Sequence, residues 1–131
     1  MDRYAFSGVA FSAAKPGLDV AWCAAPDAGL PLPDVLLFMD LAPDKAAARG
    51  GFGEERYEKP AFQAAVRDLF EQLRTSTSAR VGGDWWRTLD AAGSIEEVAG
   101  RVQAAVAAPL ERAHRGEAPL RTLWDGAPLV P

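Results

Sequence analysis

The most regular hydrophobic pattern in the chain begins at Pro60, where apolar residues recur every three or four positions. The stripe consists of Phe62, Val66, Leu69, Phe70 and Leu73, and Arg67, Asp68 and Glu71 lie on the opposite face. This spacing is typical of an amphipathic helix with a proline in its first turn. The pattern ends after Leu73, and residues Thr75 to Gly83 are predicted to form a loop.

Two shorter apolar runs predict strands. Val35 to Leu41 is almost continuously apolar between Asp34 and Pro43, which is too short for a buried helix. Such a run is typical of a parallel strand covered on both faces. Trp85 to Leu89 is the second predicted strand. Strands separated by helices indicate an α/β fold.

Shorter helices are predicted towards both ends of the chain. Tyr4 to Ala14 is rich in small residues and stops before Pro16-Gly17, and a second short helix follows from Leu18 to Ala25. Pro26 to Pro33, with its three prolines, is expected to be an extended loop. Lys45 to Ala48 predicts a short helix that delivers Arg49 at its carboxyl end.

Ser94 and Glu97 have the spacing of a capping box and predict the start of a last helix. Its apolar stripe would contain Ile95, Val98, Val102 and Val106. We expect this helix to end by Pro109. The Gly- and Pro-rich stretch beyond Ala113 contains a single histidine, His114, which is expected to be solvated.

Composition limits the classes of function. The 131 residues are 49% hydrophobic, which is enough for one modest core, and we expect one domain over residues 1–124 with a tail at 125–131. The formal net charge is -4, and the 14 Lys and Arg residues are scattered, which argues against a nucleic-acid-binding face. A mononucleotide needs only a few well-placed arginines.

The single cysteine, Cys23, cannot form an internal disulfide and is expected to be a buried structural thiol. No apolar run approaches the length of a membrane span, and no secretory signal is visible. We therefore expect a cytoplasmic protein without a membrane partner.

Asp2-Arg3-Tyr4, at the start of the first predicted helix, pairs a carboxylate with an arginine. The planar guanidinium of Arg3 suits two phosphate oxygens at once, and Asp2 could hold a metal-bound water. Taken alone, the same residues also fit a helix cap with a surface ion pair.

A glycine-rich segment follows from Arg49 to Glu58, with three glycines, two arginines and three glutamates. Glycines permit positive φ and close backbone approach, so this segment could close over a ligand and reopen.

These two segments, together with Trp22 to Pro33 and the run Pro33 to Leu41, resemble thymidylate kinase, a nucleoside monophosphate kinase of the P-loop class. The resemblance runs from Asp2 to Val98 and returns weakly at Pro119 to Trp124. It implies a P-loop kinase-like three-layer parallel sheet. It also implies transfer of a phosphoryl group from ATP, as its Mg complex, to dTMP to give dTDP, by a protein that is expected to be a homodimer.

The resemblance also assigns roles to residues. Arg3 would clamp the dTMP phosphate and Asp2 would assist the metal-bound water, while Ser7 and Gly8 face the thymine edge and Phe11 walls the base pocket. Arg49 would lie against adenine, Tyr57 beside the sugar, Glu58 would help order Mg through water, and Gln63 would reach the substrate pocket. Taken alone, Phe11 and Tyr57 also fit ordinary packing, and Glu58 and Gln63 a solvated helix start.

The phosphate-binding loop of the family, G-x-x-x-x-G-K-S/T, occurs nowhere in these residues. We therefore expect an incomplete sheet without the amino-terminal strands and P-loop, and a chain that is inactive alone. Two hypotheses follow: part of a working dTMP kinase, or a non-catalytic remnant or paralogue that acts as a dTMP-binding or dimerisation module. An unrelated α/β domain is the third possibility.

Overall fold

The computed structural model describes residues 3–42, 45–46 and 59–124. The helices are α1 (Ala5–Ala13), α2 (Val20–Ala24), α3 (Pro60–Val81) and α4 (Ile95–His114). The strands are β1 (Leu36–Asp40) and β2 (Trp86–Asp90), and single 3-10 turns occupy Ala25–Asp27 and Gly83–Trp85. Of the helix expected at Lys45 to Ala48, the structure describes Lys45 and Ala46, which are helical.

The two strands pair in parallel, with Leu36 opposite Trp86 and Asp40 opposite Asp90. Side chains alternate between the faces of a strand. Trp86 accordingly contacts Phe6 of α1 and Phe70 of α3, whereas its neighbour Arg87 donates a hydrogen bond to a carbonyl of α4. Helices therefore cover both faces of the sheet, in three layers.

The described residues cover β1 less completely than the sequence predicted. Met39 is 42% exposed, and the other four residues of the strand are only partly buried. The reason is the position of α4, which packs against β2. The face of β1 that carries Met39 is therefore less covered by the described residues than the face towards α3.

The core is an aromatic cluster around Phe6. The Phe6 ring centroid lies 5.4 Å from that of Trp85, 5.7 Å from that of Trp86 and 5.3 Å from that of Trp124. Tilted and edge-on contacts at these distances stabilise aromatic pairs beyond simple burial. Phe6 is 2% exposed, so α1 is anchored by its second residue.

Helix α3 is longer than the sequence predicted, because Thr75 to Val81 continue it instead of forming a loop. Serine and threonine are weak helix formers, so local propensity predicted a loop. Burial outweighs that propensity: Leu73, Thr77 and Val81 are spaced four residues apart, and the first two are buried while Val81 packs against the core. The helix ends at Gly82, whose φ of 113° favours glycine.

Helix α4 begins as predicted but does not end at Pro109. The Ser94 hydroxyl accepts from the Glu97 amide at 3.2 Å and the Glu97 carboxylate accepts from the Ser94 amide at 2.8 Å, which confirms the capping box. The helix then continues through Pro109 to His114, which is exposed.

Two features of α4 explain why the helix continues past Pro109. Pro109 has no N–H to donate to the Ala105 carbonyl one turn earlier, and Arg87 Nη1 donates to that carbonyl instead, at 2.6 Å. The buried residues of the helix are Ala105 and Pro109, whereas Ile95, which was assigned to the apolar stripe, is 84% exposed.

The segment from Pro26 to Pro33 is held by the carboxyl-terminal residues 121–123. Pro31 forms an antiparallel bridge with Thr122, and the amide of Leu123 donates to the carbonyl of Leu30 at 2.7 Å. The extended conformation predicted there is interrupted by the 3-10 turn at Ala25–Asp27.

Cys23 is partly buried against the core and not fully buried as expected. No helix among the described residues is long and apolar enough to cross a membrane.

Candidate functional site

The candidate site lies where α1 and α3 begin. Asp40 and Asp90 end the two paired strands at the same edge of the sheet. Arg67 Nη2 of α3 donates to the Asp40 carboxylate at 2.8 Å, which brings the first turns of α3 to that edge. Ligands of open parallel sheets bind outside the carboxyl ends of the strands.

Arg3 directly precedes the N-cap of α1 and is held by an aromatic ring. Its backbone φ is 58°, a left-handed conformation that few non-glycine residues adopt. The guanidinium carbon lies 4.9 Å from the centroid of the Phe11 ring, within the range of a cation–π contact.

Arg3 is exposed and forms no salt bridge within the described residues. The ring positions the guanidinium, and the described residues supply no carboxylate that neutralises it. The planar donor pattern of arginine suits a phosphate or carboxylate.

Phe11 is supported from α3. Its centroid is 6.0 Å from that of Phe62 and 6.5 Å from that of Phe70, and Phe70 lies 5.0 Å from Phe38 of β1. This row of rings connects Arg3 to the sheet, and Phe11 itself is partly buried. Its role as the wall of a base pocket remains a prediction.

Ser7 and Gly8 lie one turn before Phe11 on α1, so the three residues occupy one side of the helix. Ser7 is partly buried and Gly8 is exposed. A Cβ added at Gly8 would meet no atom of the described residues within 4 Å. The described residues therefore leave this part of α1 uncovered, and the thymine-facing role that the resemblance gives to Ser7 and Gly8 remains a prediction.

Gln63 lies in the first turn of α3, is partly buried, and is adjacent to Phe62. The structure thus places Arg3 against Phe11 and Phe11 against the start of α3, and the ligand roles of these residues remain predictions. The Asp40–Arg67 pair was not anticipated, because no local sequence signal joins residues 27 positions apart. Arg67 was predicted to lie on the polar face of α3. The sequence feature that could have suggested a partner for it is Asp40, an aspartate at the end of the predicted strand.

The predicted roles of Asp2, Arg49, Tyr57 and Glu58 fall outside the described residues. Within the described residues, no group of three or more His, Cys, Asp or Glu side chains could hold a metal ion. Asp40 is engaged by Arg67, and Asp90 accepts from the Ala92 amide at 2.8 Å. The described residues therefore do not make up a magnesium site.

Two carboxyl groups elsewhere have lowered pKa values. A side-chain hydrogen bond from Arg74 lowers the pKa of Glu71, and bonds from its own amide and the Ser94 side chain lower the pKa of Glu96. Both glutamates are exposed on helices, so these contacts stabilise the local helix and supply no catalytic acid.

A parallel sheet with helices on both faces places the chain among α/β proteins. The family model "Thymidylate kinase" matches residues 1–102. The chain belongs to the thymidylate kinase family, as its sequence indicated.

Individual relatives agree with the family model. The chain is 53% identical over 98 residues to a thymidylate kinase of Danio rerio, covering 75% of this chain and 44% of the relative. It is 43% identical over 125 residues to one of Arabidopsis thaliana, covering 95% of this chain and 44% of the relative. The chain thus spans less than half the length of these curated relatives.

A solved structure of thymidylate kinase from Candida albicans is similar with a TM-score of 0.66 and 26% identity, covering 92% of this chain and 58% of that one. The described fold is therefore part of the thymidylate kinase fold, which confirms the predicted fold class.

Proposed function

We propose that this chain supplies the acceptor-nucleotide side of a thymidylate kinase, which transfers a phosphoryl group from ATP to dTMP and forms dTDP. The observation that carries the proposal is Arg3, fixed over the Phe11 ring with no carboxylate partner among the described residues. An arginine in this state is ready to bind the phosphate of an acceptor nucleotide.

The roles proposed for individual residues come from the resemblance to the family. Arg3 binds the dTMP phosphate, Phe11 forms the wall beside the base, and the open side of α1 at Ser7 and Gly8 admits the thymine edge. Gln63 reaches the same space from α3. In the complete enzyme Asp2 assists a metal-bound water.

The remaining roles belong to the donor nucleotide and the sugar. By the resemblance to the family, Arg49 would bind against the adenine of ATP, Tyr57 would fill the space beside the sugar, and Glu58 would help to hold Mg²⁺ through water. The magnesium ion, when bound with ATP, neutralises charge on the transferring phosphoryl group.

Phosphoryl transfer depends mainly on positioning and charge stabilisation. The chain's own contribution is to hold the acceptor phosphate in place. The backbone cradle and lysine that hold the ATP phosphates in this class have no counterpart motif in the sequence. The chain alone is therefore inactive, and activity requires a polypeptide that carries the cradle.

The test is a coupled assay of phosphoryl transfer from MgATP to dTMP by a complete protein that includes this chain. Activity with dTMP that exceeds activity with a ribonucleoside monophosphate supports the proposal. A complete protein that binds MgATP and leaves dTMP unphosphorylated would contradict it.

A second function, a non-catalytic dimerisation module, is favoured by one observation. Leu18, Trp22 and Leu30, which lie around α2, are 37%, 67% and 40% exposed. Exposed apolar side chains on neighbouring segments of the sequence are consistent with a protein interface. Sedimentation of the wild type and of Trp22→Glu tests this function, because a homodimer through this surface would dissociate in the variant.

A further inference from the structure

Arg101 of α4 holds the short loop that joins β2 to α4. This loop, residues 91–93, follows the carboxyl end of β2, and we call it the edge loop. Arg101 Nη1 donates to the Asp90 carbonyl at 2.7 Å and to the Ala92 carbonyl at 2.5 Å. Hydrogen bonds from a charged donor are stronger than neutral ones. One guanidinium therefore fixes the backbone at the end of β2 and inside the loop that follows it.

Two further hydrogen bonds hold the edge loop. The Ala91 amide donates to the Asp40 carbonyl of β1 at 2.7 Å, and the Ala92 amide donates to the Asp90 carboxylate at 2.8 Å. The loop consists of two alanines and one glycine, so none of its side chains extends beyond a methyl group. Its shape therefore depends on backbone contacts of this kind, and Arg101 supplies two of them.

Gly93 leaves the backbone of the edge loop accessible. It is exposed, and its φ of 115° lies in the region that favours glycine. A Cβ at this position would collide with the carboxylate of Glu97, which forms the capping box with Ser94. Because residue 93 has no side chain, a ligand can approach the backbone of the loop closely.

The edge loop lies where ligands of such sheets bind, on the side away from the proposed acceptor residues. Both strands end at this edge, at Asp40 and Asp90, and ligands of open parallel sheets bind outside the carboxyl ends of the strands. Trp86, on one face of β2, contacts α1 and α3, whereas Arg87, on the other face, bonds to α4. The edge loop leads into α4. It therefore lies towards the face opposite to α1 and α3, which carry the residues proposed to bind the acceptor.

We propose that Arg101 is a positioning residue for the donor nucleotide, a nucleoside triphosphate. It does not touch the nucleotide but keeps the edge loop in the shape against which the nucleotide binds. This inference rests on the proposed function, in which the donor is MgATP. Without Arg101 the loop would have to be ordered when MgATP binds, and the loss of conformational entropy would weaken that binding. Binding of dTMP, on the side of α1 and α3, does not depend on the loop.

The test is a calorimetric titration of a complete protein that includes this chain, with MgATP and with dTMP separately. In Arg101→Met the Kd for MgATP should rise about tenfold, while the Kd for dTMP stays that of the wild type. Arg101→Lys should raise the Kd for MgATP by only about threefold, because an ammonium can still donate to a carbonyl. Arg112→Met, an exposed arginine in the last turn of α4, is the matched control and should bind both nucleotides like the wild type.

An unchanged Kd for MgATP in Arg101→Met, or an equal rise for both nucleotides, overturns the proposal, because the second result is that of a general structural role. If Arg101→Met does not fold, Arg101→Lys decides, and a wild-type Kd for MgATP in that variant overturns the proposal. These titrations do not require turnover. A wild type that binds both nucleotides without phosphoryl transfer contradicts the proposed function alone, whereas one that binds no MgATP contradicts both.

Discussion

The Arg3 side chain is positioned by an aromatic ring and not by an ion pair within the described residues. Most surface arginines lie near a carboxylate, and an exposed pair of that kind contributes little stability. Arg3 is held instead by the Phe11 ring at 4.9 Å, and Phe11 is held by Phe62 and Phe70. The guanidinium is therefore positioned by a neutral group and not by a carboxylate of the described residues.

The first prediction concerns this residue. In the complete enzyme, Arg3→Lys should lower kcat/KM for dTMP by about 30- to 900-fold, equivalent to about 2 to 4 kcal/mol, because an ammonium cannot reproduce the planar donor pattern. Steady-state kinetics with varied dTMP give this value. Arg74→Lys is the matched control, since Arg74 pairs with Glu71 on the α3 surface. Near-normal kcat/KM in Arg3→Lys would remove the role assigned to Arg3.

Among the elements, α4 and β2 are joined beside Pro109 by a hydrogen bond from Arg87. Pro109 leaves the Ala105 carbonyl without a helical donor, and Arg87 of β2 supplies one. A proline inside a helix ordinarily costs about 3 kcal/mol. The arginine offsets part of that cost and fastens the helix to the sheet.

The second prediction is a double-mutant cycle on this contact. Arg87→Met should destabilise the protein by about 1.5 to 3 kcal/mol, because a carbonyl loses its charged donor. In the Pro109→Ala background, Arg87→Met should cost about 1 kcal/mol less stability, because the alanine introduced there has a backbone N–H, which can donate to the Ala105 carbonyl. Urea denaturation of the complete protein measures both values. Equal losses in the two backgrounds would show that the contact does not compensate for the proline.

At the scale of the whole molecule, the described residues cover the parallel sheet incompletely. The described sheet has two strands, and Met39 of β1 is 42% exposed. Parallel strands are normally covered on both faces and paired on both sides. The apolar run Val35 to Met39 with little charge is therefore prone to aggregate.

The third prediction is that residues 1–131 alone are poorly soluble or molten, and that co-expression with the amino-terminal portion of a thymidylate kinase restores solubility. Met39→Glu should increase the soluble yield of the isolated chain, because a charge interrupts the apolar run. A monodisperse preparation of the unmodified chain with a sharp cooperative thermal transition would contradict this prediction and favour an independent paralogue.

The fourth prediction is that the isolated chain binds neither ATP nor MgATP measurably, because no P-loop motif occurs in its sequence. Calorimetric titration at millimolar ATP checks this. A saturable isotherm with unit stoichiometry would place a triphosphate site within these residues.

Local signals in the sequence predicted most elements correctly. The start of α3, the capping box of α4 and the two strands follow from spacing and residue type, which act between near neighbours. The role of Arg3 in binding an anion was suggested by its residue type and the role of Phe11 by the resemblance to the family, and both remain predictions. The family was confirmed by the match over residues 1–102.

Where local preference and tertiary packing disagreed, packing prevailed. Burial of Thr77 extends α3 through residues that favour a loop, and the Arg87 bond carries α4 through a proline. The Asp40–Arg67 pair and the bridge between Pro31 and Thr122 join residues far apart in sequence. The sequence by itself determined which elements form and which family they belong to, because those signals are local or shared with relatives. Only the tertiary structure decided where helices end and which charges meet, because burial and long-range hydrogen bonds exist only after the chain has packed.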